Sequence, residues 1–366
     1  MLDFTSALYL GFTHPSDSLG SWRALTLGRP AALQDPPCGR RIADGLARLT
    51  GAPGGLLFPS TLHLFRDLFT AVVDKQTTLL IDAGAYPIVR WGTEHVQLRG
   101  TPIATYPHHD TAALAQQARR AFRAGLRPIV ITDGLCPACG RLAPLPELAR
   151  IAAEYGGSLV VDDTQALGIV GAPAIGNVAP LGLGGGGTLA WYGLHGPHVC
   201  VGSSLAKGFG APLAVLLGTE TTLDGIASDG ETRIHSSPPS VAAIAAATRA
   251  LDDNATSGDL LRARLLRRVS QLRQGLARIG ARMLASLPLP VQMIALASKQ
   301  AARAVLAALE ARDIRAIVTK TCAGGVALAI ILTARHAAAD IDRLIDALAS
   351  VLRSNPHHDR IGVTAS

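Results

Sequence analysis

The chain has 366 residues, 48% hydrophobic, 17% charged and 4% aromatic, with a formal net charge of +7. That length and apolar content suit a large domain with a smaller one beside it and exclude a disordered chain. Arginines scattered along helical stretches such as 260–273, with so few aromatics, exclude a base-stacking nucleic-acid surface, while the positive balance attracts phosphorylated or thioester-linked anions.

In chain order, 3–11 reads as a short extended segment ending in a glycine turn, 30–37 as a loop and 40–49 as an amphipathic helix. Residues 56–61 are a strand running into a turn, and 63–73 a helix opening at that turn. The first backbone N–H groups of such a helix favour a phosphate, and Ser60 and Thr61 add hydroxyls. Strands and helices then alternate: strands at 78–81, 95–98, 128–132 and 158–161, helices from 87, at 111–124 and at 145–155. A glycine-rich loop, 182–187, precedes another strand, 198–201. This alternation predicts an α/β fold with a mostly parallel sheet flanked by helices, and ligands in such sheets bind at the carboxyl ends of strands. Helices follow at 241–251 and 258–279. A strand–helix–strand–helix tail (291–295, 300–312, 326–332, 338–352) forms a small C-terminal α+β domain. The expected division is an N-terminal segment 1–39, a large domain 40–255, a small domain 256–353 and a frayed tail 354–366.

No apolar run reaches the roughly 18 residues of a membrane span, and Met1-Leu2-Asp3-Phe4 carries no signal-peptide features. A cytoplasmic protein with no membrane or nucleic-acid partner is expected. Of the five cysteines, Cys136 and Cys139 form one CxxC pair. A structural zinc takes two such pairs or nearby histidines, so the pair reads as an unligated loop, and no metal is expected.

Two stretches carry chemistry. In Ser203-Ser204-Leu205-Ala206-Lys207-Gly208-Phe209-Gly210, a lysine follows an apolar strand among small residues. Burial there lowers an ammonium pKa and frees an amine able to form a Schiff base. In Val160-Val161-Asp162-Asp163-Thr164-Gln165-Ala166-Leu167-Gly168, Asp162 ends a strand and is placed to pair with a pyridinium nitrogen. A Schiff-base lysine and that carboxylate are the minimal kit for pyridoxal 5'-phosphate (PLP).

With these residues in view, the chain resembles the fold-type I PLP-dependent transferases, specifically the α-oxoamine synthases, from Phe4 to about Leu348. Landmarks recur in order: Tyr9-Leu10-Gly11, Phe58-Pro59-Ser60, His108-His109-Asp110, Thr132-Asp133, Ala143-Pro144-Leu145, Val161-Asp162-Asp163, Lys207 in its glycine setting, Pro238-Pro239 and His336. The resemblance implies that Lys207 forms the Schiff base and later moves the α-proton, and that Asp162 holds the ring nitrogen. It places Gln165 where the family has a histidine on the ring hydroxyl, and Tyr86 where the family has a stacking histidine. Thr61, Leu62 through its N–H, and Ser204 match phosphate positions, with Ser60 and Ser203 as further hydroxyls. His235 or Ser236 stands where the family draws a phosphate contact from a neighbouring subunit, which implies a homodimer. The implied activity is acyl transfer between an amino acid or amine and an acyl thioester of coenzyme A or an acyl carrier protein. Transamination, or other carbanion chemistry on an atypical amine, is the alternative.

The departures concern the substrate. Ala7 replaces the family's asparagine, the strand aligned with the family's arginine-bearing one (325–330) has no arginine, and Pro137 stands near the usual serine. Either the substrate lacks a free α-carboxylate, or a cation among Lys320, Arg29, Arg40 and His109 takes over, Lys320 being favoured.

Overall fold

The structure, a computed structural model, describes residues 1–36, 38–177, 179–322 and 324–353. The predicted tail, 354–366, lies outside the described residues. Backbone contacts separate two compact units.

The larger unit comprises Phe12–Cys136 and Leu142–Asp259. It is built on a seven-stranded sheet, ordered Gly54–Phe58, Ala214–Gly218, Val199–Ser204, Ser158–Asp162, Arg127–Asp133, Thr77–Asp82 and Ile103–Tyr106. Every pairing is parallel except the two made by Ala214–Gly218. Thr77–Asp82 is buried along its whole length, which is why it reads as a run and not as an alternation. Phe58, Phe65, Phe69, Leu79, Ile131 and Val160 share one core cluster. The helix Thr61–Val72 packs closely on Val199–Ser204 because Gly202 has no side chain. A Cβ there would stand 2.8 Å from both Leu64 and Phe65.

Several elements differ from the sequence reading, which also lacked the strands Ile103–Tyr106 and Ile317–Lys320. Residues 95–98, expected as a strand, close the helix Pro87–Leu98, whose buried stripe is Val89, Gly92, Thr93 and Val96. The short run His95-Val96-Gln97-Leu98 alternates by coincidence, since Leu98 is exposed. The strand Ala214–Gly218 was absent from the expected set, although its apolar run between Pro212 and Gly218 is a plain β signal. The polar stretch 252–257, expected to break two helices, lies inside one, Val241–Arg278. Thr256 and Ser257 donate back to the Asp252 and Asp253 carbonyls, and Asn254 is buried with its amide donating to Gly184 O at 3.0 Å. Local side-chain bonds thus satisfy the polar groups without ending the helix.

The smaller unit comprises Met1–Gly11, Pro137–Arg141 and the chain from Leu260. Its sheet is antiparallel, ordered Val291–Leu296, Val326–Ile331 and Ile317–Lys320, with the helices Lys299–Glu310 and Ala338–Arg353. The first residues belong here and not to a separate segment 1–39. Leu2–Asp3 pairs in parallel with Ile314–Arg315. Phe4 stacks on His336 at 4.5 Å between ring centres, and His336 Nε2 donates to Asp3 O at 3.1 Å. The division falls at Asp259, not at the expected 255.

Gly202→Ala is expected to destabilise the protein by about 1–3 kcal/mol through overpacking against Leu64 and Phe65. Urea unfolding measures it; an unchanged midpoint would show that the helix shifts freely.

Candidate active site

The larger unit gathers its ionisable groups at the carboxyl ends of neighbouring parallel strands, where open α/β sheets bind ligands. Asp133 and Asp162 end two of these strands and are paired in register, so their side chains leave the same face. Asp162 pairs across its other edge with Gly202, shortly before Lys207.

What fixes Lys207 against Asp162 is backbone contact between the loops that follow their strands. Gly168 has φ +87°, and a Cβ there would stand 3.0 Å from Gly208 Cα; one on Gly208 would stand 2.4 Å from Leu167 O. Only glycine satisfies both positions. Thr164 adds a polar tie: its Oγ1 accepts the Ser204 amide at 3.0 Å, while its own amide donates to Asp162 Oδ1 at 3.0 Å.

Asp163 has a different task. Its carboxyl accepts the Thr188 amide at 2.9 Å and the Thr188 hydroxyl at 2.6 Å, which pins the helix that starts after the glycine-rich loop. Burial pushes its pKa up to about 7.

A cavity of about 180 Å³ lies over the strand ends. Of the residues expected from the sequence, it gathers Thr61, Tyr86, Asp162, Gln165, Ser204 and Lys207. It also takes in Ile88, Asp133 and Thr164, which the sequence reading left out of the site. Asp133 directly follows the predicted strand 128–132, as Asp162 follows 158–161. Another cleft of this unit, about 360 Å³, has Arg41, Arg249 and Asp252 on its wall, and none of these is buried.

The cavity is electrostatically tense. Burial lowers the proton affinity of Lys207, opposed by the charges of Asp162 and Asp133. Burial raises the pKa of Asp162, against the Thr164 bonds and the Lys207 charge. Lys207 Nζ stands 5.5 Å from the centre of the Tyr86 ring. Tyr86 caps the helix Pro87–Leu98, and its amide donates to Asp133 Oδ1 at 3.0 Å.

Thr61 and Leu62 begin the helix Thr61–Val72, so their amides precede the first intrahelical bond and suit a phosphate. Five expected residues do not line the cavity. Ser60 is the N-cap, accepting the His63 amide and bonded to His63 Nδ1 at 2.8 Å. Leu62 is exposed at its side chain, and its expected contribution is its amide alone. Ser203 is fully buried one residue before Ser204, on the opposite face of the strand, which removes it from the cavity wall. His235 ends the helix Glu231–His235, and Ser236 Oγ donates to Thr232 O.

The candidate replacement cations are placed as follows. Arg40 is paired with Asp44, Arg29 donates to Gln34, and His109 is held by its amide on Asp82, so none of these three lines the cavity. In the smaller unit Lys320 is exposed at a strand end. Cys136 is buried and Cys139 half-buried, and neither is in a disulfide.

A reactive amine, an acid one strand away, an aromatic ring and a helix N-terminus fit a phosphorylated pyridine aldehyde. Residues 46–348 match the model of the aminotransferase class I and II family, and the chain belongs to that family. It is a fold-type I, PLP-dependent transferase. Among curated relatives, 8-amino-7-oxononanoate synthase of Stutzerimonas stutzeri (strain A1501) is 32% identical over 95% of this chain and 87% of its own length. The enzyme of the same name from Ralstonia pickettii (strain 12J) is 35% identical over 87% and 74%. Among solved structures, serine palmitoyltransferase from S. paucimobilis superposes with a TM-score of 0.83 at 18% identity, covering 96% of this chain and 87% of that one. The 8-amino-7-oxononanoate synthase of Francisella tularensis gives 0.76 at 16% identity, covering 97% and 98%.

The Asp163 carboxyl supplies a prediction. Its folded-state pKa of about 7 lies above the ordinary 3.8, so between those values the native state holds a proton that the unfolded chain has released. Its stabilisation is complete below about pH 4 and is lost as pH rises to about 7. Asp163→Asn, neutral throughout, keeps the Thr188 amide bond through its oxygen and donates from its nitrogen to the Thr188 hydroxyl, which then accepts. Its melting temperature is expected to depend less on pH than the wild type's between roughly pH 5 and roughly pH 8. Equal slopes would show that Asp163 is ionised in the fold.

Proposed function

We propose that this enzyme is a cytoplasmic acyltransferase of α-oxoamine synthase type, condensing an amino acid or amine with an acyl thioester. The observation that carries it is the half-buried Lys207 amine sharing one cavity with Asp162 and lying 5.5 Å from the centre of the Tyr86 ring. The relatives named 8-amino-7-oxononanoate synthase support the acyl-transfer branch.

PLP, when bound, draws electrons from the substrate carbon. Lys207 supplies the amine that holds the cofactor and then takes the proton from that carbon. Asp162 keeps the ring nitrogen protonated by accepting its N–H. Tyr86 covers one face of the ring, and Gln165 donates to the ring hydroxyl. The Thr61 and Leu62 amides and the Ser204 hydroxyl take the phosphate. The new carbon–carbon bond forms at the thioester carbonyl as the carbon–sulfur bond breaks, and the sulfur leaves as a thiol. The net charge of +7 favours the anionic coenzyme A or acyl carrier protein that brings the acyl group. A homodimer is part of this reading, with His235 or Ser236 reaching the phosphate site of a second copy.

Transamination is the second reading. Ala7 and the arginine-free strand Val326–Ile331 favour it, because an atypical amine needs no carboxylate grip. The two separate experimentally: acyl transfer releases thiol from an acyl thioester when an amino acid is added, whereas transamination bleaches the visible band with an amino donor alone.

Lys207→Ala is expected to abolish the visible band of the bound cofactor and all turnover. Asp162→Asn should keep the band and lose roughly 100- to 1,000-fold in turnover. Thiol release and absorbance measure both; a Lys207→Ala protein that retains turnover would overturn the assignment.

A further inference from the structure

The cavity holds two carboxyl groups and one amine, and the proposed chemistry uses only one of the acids. Asp133 and Asp162 are 5% and 4% exposed and end adjacent parallel strands in register. Neighbouring strands lie about 4.8 Å apart, and two carboxylates carried on such neighbours and shielded from water raise each other's proton affinity, which favours one proton kept by the pair.

The surroundings decide which acid keeps it. Asp162 accepts hydrogen bonds from both the amide and the side chain of Thr164 and feels Lys207. Asp133 accepts one amide, that of Tyr86, feels the negative charges of both Asp162 and Asp82, and has Lys207 as its cation. Asp82 is itself held as an anion by His108 Nδ1 at 2.7 Å and by the Gly84 and His109 amides. Tyr106, whose pKa burial raises, also lies in this field and adds no charge. Donors favour ionisation of Asp162; anions oppose that of Asp133. Burial and Asp162 push the Asp133 carboxyl well above the usual range.

We propose that Asp133 is a positioning residue that stays protonated beside an ionised Asp162, so that the cavity carries one negative charge and Lys207 is not held as an ammonium ion by two. Its Oδ1 fixes the Tyr86 amide, and hence the start of the helix that carries the ring. The inference rests on the cofactor reading for its role in catalysis, but the acid pair itself belongs to the protein.

Difference infrared spectroscopy of the holoenzyme at roughly pH 8, with carboxyl-labelled aspartate, tests it. The wild type is expected to show a protonated-carboxyl band that shifts with the label, vanishes in Asp133→Asn and survives in Asp163→Asn. In the same samples the visible band of the cofactor is titrated. Asp133→Asn should leave its midpoint within about 0.3 pH units of the wild type, because one neutral group replaces another. The proposal is overturned by a wild type with no such band, by a band that survives Asp133→Asn, or by a midpoint lowered by about one pH unit or more, the mark of a lost anion. If Asp133→Asn does not fold, Asp133→Ser, which also removes the carboxyl, is read in its place with the same outcomes. A colourless wild type that shows the labelled band overturns the cofactor reading and leaves the acid pair standing; a coloured one without the band does the reverse.

Discussion

Two glycines in contact set the chemistry of this protein. Gly168 and Gly208 let the loop after Asp162 and the loop bearing Lys207 meet backbone to backbone, so a half-buried amine and a buried acid are held in one small cavity. Neither charge is comfortable there. Burial pushes each toward its neutral form, and their mutual attraction pushes back. Burial thus eases the release of the Lys207 proton, and the neighbouring carboxylates resist it.

The sheet makes this arrangement possible by alternation. Asp162 and Asp163 are adjacent in sequence, yet Asp162 lines the cavity while Asp163 anchors Thr188. Ser203 and Ser204 divide in the same way, one fully buried and one on the cavity wall. At a strand end a single step along the chain separates a group that can meet a ligand from one that serves the scaffold.

That step also explains what the sequence revealed. Lys207 and Asp162 were legible because an ionisable residue closing an apolar run is conspicuous, and the alternation of strands and helices placed both at one edge of the sheet. Ser203 was misread because the two serines are chemically alike and only the register of the strand tells them apart. Asp133 was overlooked as a site residue although it closes its strand as Asp162 does. Its role depends on pairing with Asp162, and 28 residues intervene between them in the chain. Residues 95–98 misled because four residues cannot distinguish the two periodicities, and 252–257 because their polarity is absorbed by bonds to carbonyls one turn back and to Gly184.

The distribution of change across the chain says where specificity resides. The groups that would hold and activate a pyridine aldehyde sit within the larger unit, in or beside one cavity, and each offers the chemistry its task demands. Gln165 and Tyr86 substitute for histidines, but an amide still donates and a phenol ring still stacks. Ala7 and the arginine-free strand Val326–Ile331, by contrast, offer no chemistry equivalent to the groups they replace, and both belong to the smaller unit. A methyl group cannot hydrogen-bond a carboxylate, and an apolar strand cannot neutralise one. On the proposed reading, the groups for the cofactor and the departures at the carboxylate-binding positions fall in different units of the chain. An enzyme built so can keep its carbanion chemistry while moving to a substrate whose carboxylate is masked, absent or held by another cation.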